Sequence, residues 1–244
     1  MRLLLIVTLG LCCNLAFAQT ETGPWKLTTA PVAPRPAEPG LGRELRASVQ
    51  QSVEQSLKGD NAQARVALLE VAQHCDAYRA AAGRRAVSFR TQRQYELYLA
   101  DHNDGTPLDW LDMACADAYK QLAYIAVEYH DTDQAMQWLD QAQATAPYEA
   151  DVLTERSIAF NQRKDWRGAL ASYQQALELT RSHPEAAHLQ ALALRGVGFS
   201  LIELGDLPSA QSHYEQSLEL EPDNPVALQE LTYIQQLRER AGGK

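Results

Sequence analysis

Small and apolar residues recur along this chain at a fixed interval. Ala135 and Ala169 stand 34 residues apart, as do Ala142 and Ala176. Ala210, Tyr214 and Leu218 repeat Ala169, Tyr173 and Leu177 at an offset of 41. Such a period predicts stacked helix–turn–helix units, none of which can bury its apolar face alone. The larger offset exceeds the smaller by about two helical turns. It therefore keeps the apolar face in phase and predicts longer helices in place of a broken stack.

Helical patterning begins at Leu41. Residues 42–58 and 60–81 read as a worn hairpin, with Gly59 as a helix stop, Asp60 as an N-cap and Gln63 at the capping-box position. An irregular insertion, 82–105, follows and ends in the polar turn 101–105. Thr106-Pro107 then has the form of an N-cap and first-turn proline, with Asp109 favourable near the helix dipole, so a helix is expected to open there. Three clear units are expected at 116–149, 150–190 and 191–224, with a capping helix at 225–240, so that 106–240 forms the repeat body. In the last of these, Asn224-Pro225 starts the helix and Leu228 and Leu231 cover the third unit. Upstream, residues 19–40 hold five of the chain's 11 prolines and read as a semi-extended linker.

Residues 116–240 resemble the tetratricopeptide repeat family. Leu122 beside Ala123, then Ala135, Leu139, Ala142 and Pro147, match its pattern in the first unit. Leu153, Ser157, Phe160, Ala169, Tyr173 and Ala176 match in the second, and Leu194, Gly198, Ala210, Tyr214 and Pro222 in the third. The pattern departs where Arg181 stands for the usual proline and Ser217 for the usual alanine. The resemblance implies an all-α solenoid of helical hairpins, a right-handed superhelix, with a degenerate helical part at its N-terminal end. Its packing logic is that small residues at Ala123, Ser157 and Gly198 admit a close neighbour, while Tyr173 and Tyr214 fill the space between units.

The same resemblance implies that first helices line a protein-binding groove. One row across it holds Lys120, Thr154, Arg195 and Gln229. A second holds Tyr124, Ile158, Phe199 and Tyr233, and a third Glu128, Gln162 and Glu203. Aromatic groups beside adaptable polar ones suit a peptide or protein segment, although Tyr124 and Phe199 could instead pack between helices. Some relatives clamp a chaperone's C-terminal carboxylate with lysine and asparagines. Here Lys120 alone fits, because Tyr124, Glu155, Leu192 and Gly196 occupy the other clamp places.

Composition adds the setting. Arg2, the apolar run 3–11 and Ala16-Phe17-Ala18 have the form of a signal peptide cleaved after Ala18, which implies export to the periplasm. The net charge is −9, and loss of Arg2 with the leader makes it one unit more negative. An acidic chain is a poor binder of nucleic acid. The expected partner is another exported or envelope protein. Two cysteines would remain, Cys75 and Cys115; in an oxidising compartment they can pair, and otherwise they are two small buried thiols. The six histidines show no metal-ligand spacing, and no phosphate loop or nucleophile signature is present. The sequence thus points to a non-enzymatic scaffold without metal or cofactor. Arg79, Arg84, Arg85, Arg90 and Arg93 form a candidate anion patch that could meet an acidic ligand or lipid headgroups, and so an alternative role as sensor or carrier. The plainer reading is that they balance nearby acids.

Overall fold

The computed structural model describes residues 38–242. The expected leader and its cleavage point lie outside the described residues, as does all but the end of the proline-rich linker. In chain order the helices are α1 (Arg46–Leu57), α2 (Asn61–Arg79), α3 (Gln92–Asp101), α4 (Met113–Glu128), α5 (Thr132–Thr145) and α6 (Ala150–Gln162). They continue with α7 (Trp166–Ser182), α8 (Gln190–Glu203), α9 (Leu207–Leu220) and α10 (Pro225–Gly242). Four antiparallel hairpins result, α1–α2, α4–α5, α6–α7 and α8–α9, each packed on the next and closed by α10.

All four hairpins turn by one device. The second residue after the first helix takes a left-handed backbone: Gly59, His130, Lys164 and Gly205, with φ of 86°, 59°, 57° and 85°. An aspartate follows each time, and its amide donates back five residues, Asp60 to Gln55, Asp131 to Ala126, Asp165 to Phe160 and Asp206 to Leu201. That bond satisfies a carbonyl the ending helix would otherwise orphan. The aspartate side chain then caps the second helix by accepting from the amides of Gln63, Gln134, Gly168 and Ser209. The hairpin α1–α2 shares every part of this turn and packs on α4, so the degenerate N-terminal hairpin joins the stack.

The insertion is ordered. Strands β1 (Arg85–Ser88) and β2 (Leu108–Leu111) pair in parallel. Parallel strands cannot be joined by a tight turn, and α3 makes the crossover. It is capped by Thr91, whose Oγ1 accepts from the Gln94 amide at 3.2 Å, while Gln94 Oε1 accepts from the Arg90 amide at 2.8 Å. The helix expected to open at Thr106-Pro107 does not form there. The Pro107 carbonyl accepts from the Arg85 amide at 2.9 Å, and Trp110 is buried against Phe89. Strand pairing and burial of Trp110 and Leu111 therefore win over the local N-cap signal. The helix instead starts at Met113, with Asp112 accepting from the Ala114 amide at 3.0 Å. Gly40 donates to the Trp110 carbonyl and Asp112 to that of Leu41, so residues 40–41 lie beside β2.

Packing follows the small-residue positions. Ala135, Ala169 and Ala210 are fully buried, as are Ala142 and Ala176. A Cβ on Gly198 would sit 2.7 Å from the Tyr214 ring, and one on Gly196 would sit 2.3 Å from the Tyr173 ring. The wider spacing before the third unit is taken up differently from the expectation. Helix α7 has 17 residues against 14 in α5 and α9, and the remainder forms a 3-10 helix, Pro184–Leu189. Pro184 cannot continue α7, which accounts for the change. On α10 the covering residues are Ala227, Leu231, Ile234 and Leu237. Leu228, expected to cover the third unit, is instead 49% exposed, because it lies about 100° around the helix from Ala227. Cys75 of α2 and Cys115 of α4 form a disulfide, with Cα atoms 5.6 Å apart and both residues fully buried. This resolves the two alternatives left by the sequence.

Candidate groove along the first helices

The helices α4, α6, α8 and α10 carry the expected groove residues. Their apolar row is open to solvent: Tyr124 is 37% exposed, Ile158 40% and Tyr233 43%. Phe199 is half-buried and meets the edge of Trp166 at 5.9 Å between ring centres, so it serves packing and surface together. Four predicted residues, Phe199, Glu203, Gln229 and Tyr233, line one cavity of about 480 Å³ between α8 and α10.

The first polar row is largely committed within the chain. Lys120 is ion-paired to Asp151 and to Asp117. Thr154 is buried and its hydroxyl donates to the Asp151 carbonyl at 2.8 Å, as threonine does inside helices. Arg195 donates to Ser217 Oγ of α9 at 3.1 Å and pairs with Glu221 just past the end of that helix. Only Gln229 of this row is exposed. In the third row Gln162 donates to the Val127 carbonyl of α4 at 3.1 Å, while Glu128 and Glu203 are exposed.

A second cavity, of about 970 Å³, was not anticipated from sequence. Val49 and Val53 of α1 and Met113, Asp117 and Lys120 of α4 form part of it, and Phe89, Arg90 and Trp110 of the insertion supply a wall. The wall is held by an aromatic cluster. Tyr95 stacks on Trp110 at 5.2 Å, the Tyr98 ring lies 5.3 Å from Phe89, and Trp110 Nε1 donates to the Phe89 carbonyl at 3.0 Å. The alternation Val87-x-Phe89 and Leu108-x-Trp110 was the available signal, and it was masked by surrounding polar residues. At the base of this cavity Arg46 Nε donates to Asp112 at 2.9 Å, tying α1 to the cap of α4.

Beside the same wall Arg90 Nε donates to Glu149 at 2.7 Å and lies 4.0 Å from both Asp117 and Asp151. Burial pushes the Glu149 carboxyl up to about 7, against the pull of Arg90. The other arginines of the candidate anion patch are also engaged. Arg84 forks onto Asp109, Arg85 onto Asp104, and Arg79 donates to Gln141 and lies over the Tyr119 ring. Asp104 is held well below the usual carboxylate range by the Arg85 guanidinium. Only Arg93 of the five has no such partner among the described residues. The five do not converge on one site; balancing of nearby acids accounts for Arg84, Arg85 and Arg90, and packing on Tyr119 with a bond to Gln141 accounts for Arg79.

Comparison with known proteins agrees with this architecture. Residues 148–222 match the tetratricopeptide repeat family model, and no curated protein matches the chain. Among solved structures, PilF of Pseudomonas aeruginosa superimposes with a TM-score of 0.57 at 17% identity, over 82% of this chain and 71% of that one. Kinesin light chain TPR-like repeats from Podospora anserina give 0.52 at 14% identity, over 82% and 90%. The first TPR domain of human RPAP3 is 26% identical over 53% of this chain and 97% of its own, with a TM-score of 0.47. Residues 148–222 are thus a tetratricopeptide repeat segment, within an all-α stack of hairpins that continues on both sides of it.

Proposed function

We propose that this chain is an exported scaffold that holds a segment of another envelope protein along its first-helix groove, without catalysing a reaction. The observation that carries the reading is the solvent-open apolar row of Tyr124, Ile158 and Tyr233, on α4, α6 and α10, with half-buried Phe199 of α8 in the same row. Apolar side chains presented at repeat spacing offer contact area at low entropic cost to a partner that follows the stack. The wall built by the insertion gives the groove one deep end, where an anchoring side chain of the partner would sit. The reading as a sensor of anionic ligands loses its support, because Arg84, Arg85 and Arg90 already face carboxylates.

The test is crosslinking in cells with a photoreactive residue at Ile158, followed by identification of the attached protein by mass. Tyr124→Asp should abolish that adduct while leaving helical content near wild type. An adduct of unchanged yield in this variant rules out the groove.

A further inference from the structure

Around each member of the apolar row, the residues three before and four after share its helix face. These are Gln121 and Glu128 for Tyr124, Glu155 and Gln162 for Ile158, Gly196 and Glu203 for Phe199, and Glu230 and Leu237 for Tyr233. Four of these eight positions are glutamates; the positions four before, on the same face, hold Lys120, Thr154, Arg195 and Gln229, and both cations there are already paired, Lys120 with Asp151 and Asp117 and Arg195 with Glu221. Among the described residues none of the four glutamates has an ion-pair partner. The neighbouring cations are turned away: Arg195 goes to Glu221, and Arg238 donates to Gln211.

The contrast with the other end of the groove is informative. At the cavity walled by the insertion every acid has a cation: Asp112 has Arg46, and Asp117 has Lys120 and Arg90. At the cavity between α8 and α10, Glu203 and Glu230 line the same space with Phe199, Ile202 and Tyr233, and no cation lines it. Burial and the charge of Glu203 both push the Glu230 carboxyl up. Two carboxylates that disfavour each other over an aromatic surface form a site that an incoming ammonium or guanidinium would relieve.

Resting on the groove reading above, we infer that the partner segment is cationic. It carries apolar side chains interleaved with lysine or arginine, and one basic side chain sits between Glu203 and Glu230 against Phe199 and Tyr233. An acidic segment would be repelled along the same face.

Two synthetic amphipathic peptides with one shared apolar pattern serve as probes, one with lysine and one with glutamate at every polar position. Binding to the mature full chain is read by fluorescence anisotropy. The lysine probe should bind about tenfold more tightly, through several rim ion pairs together, and should weaken with salt. The double variant E203Q/E230Q should lose about threefold or more of that preference. E215Q/E219Q, which makes the same charge change on the exposed face of α9, should keep it. Equal affinity for both probes, or equal behaviour of the two double variants, overturns the cationic assignment and leaves the groove standing. If neither probe binds, the groove reading falls and takes this inference with it.

Discussion

Replacing Gly196 with alanine adds one methyl group to α8. At an open helical site this change stabilises by ~1 kcal/mol, because alanine loses less backbone freedom than glycine on folding. Here the new Cβ would lie 2.3 Å from Cε1 and 2.4 Å from Cδ1 of Tyr173. Ordinary carbon contacts are about 3.5–4.0 Å, so the ring would have to retreat by more than about 1 Å. Tyr173 is only 7% exposed, so it has no solvent-filled space to enter. Overpacking of this kind costs ~1–3 kcal/mol, and the size of the overlap places it at the upper end. Set against the helical gain, the net loss is ~1–2 kcal/mol, or about 2–8 °C in Tm for a chain of this length. Thermal melting followed by circular dichroism measures it. Tyr173→Leu supplies the second arm: in that background Gly196→Ala should become neutral or stabilising, a coupling of ~1 kcal/mol or more. A melting temperature that stays level or rises in the single variant would refute the close approach of α7 to α8.

Three further outcomes are expected. Lys164→Gly should raise stability by ~0.5–1 kcal/mol, since a non-glycine residue at φ 57° carries strain that Gly59 and Gly205 avoid in equivalent turns; a lower Tm argues against this. Cys75→Ala with Cys115→Ala should cost ~2–4 kcal/mol in chemical denaturation, the usual worth of such a crosslink, and an unchanged midpoint would be inconsistent with it. Glu149 has a folded-state pKa raised to about 7 from 4.5. The folded chain therefore holds more protons between those values, and this group's contribution to stability falls as pH rises through that window. Glu149→Gln should flatten the pH dependence of Tm there, and an identical slope in both proteins would count against a buried, protonatable Glu149.

The repeat body was legible because its signals are local and redundant. Ala135, Ala142, Ala169 and Ala176 sit where only small side chains fit, and all four are fully buried. The turn chemistry was legible once, at Gly59-Asp60. It was hidden at His130-Asp131 and Lys164-Asp165, where non-glycine residues occupy the left-handed position. The insertion was misread because β1 and β2 are four residues each and pair across α3, so each strand's partner lies about 20 residues away and the short alternation within each does not reveal the pairing. The internal partners of the polar row were not legible for a related reason. Spacing places Lys120, Thr154 and Arg195 on the right helices, but the acids and carbonyls that engage them belong to neighbouring turns and helices. The apolar row Tyr124, Ile158 and Tyr233 needed no such knowledge, and those residues are exposed.

The attachment of Gly40 and Leu41 to β2 has a mechanical consequence. Gly40 bonds to Trp110 and Leu41 to Asp112, while Asp112 also caps α4 and grips Arg46 of α1. Tension arriving from the residues ahead of Gly40 would load these bonds at the same point where two helices and the sheet are joined. Parallel alignment makes such a pull act along the strands and stretch several bonds at once, whereas a peeling geometry would break them singly. A tether entering there could bear force without unravelling the first hairpin.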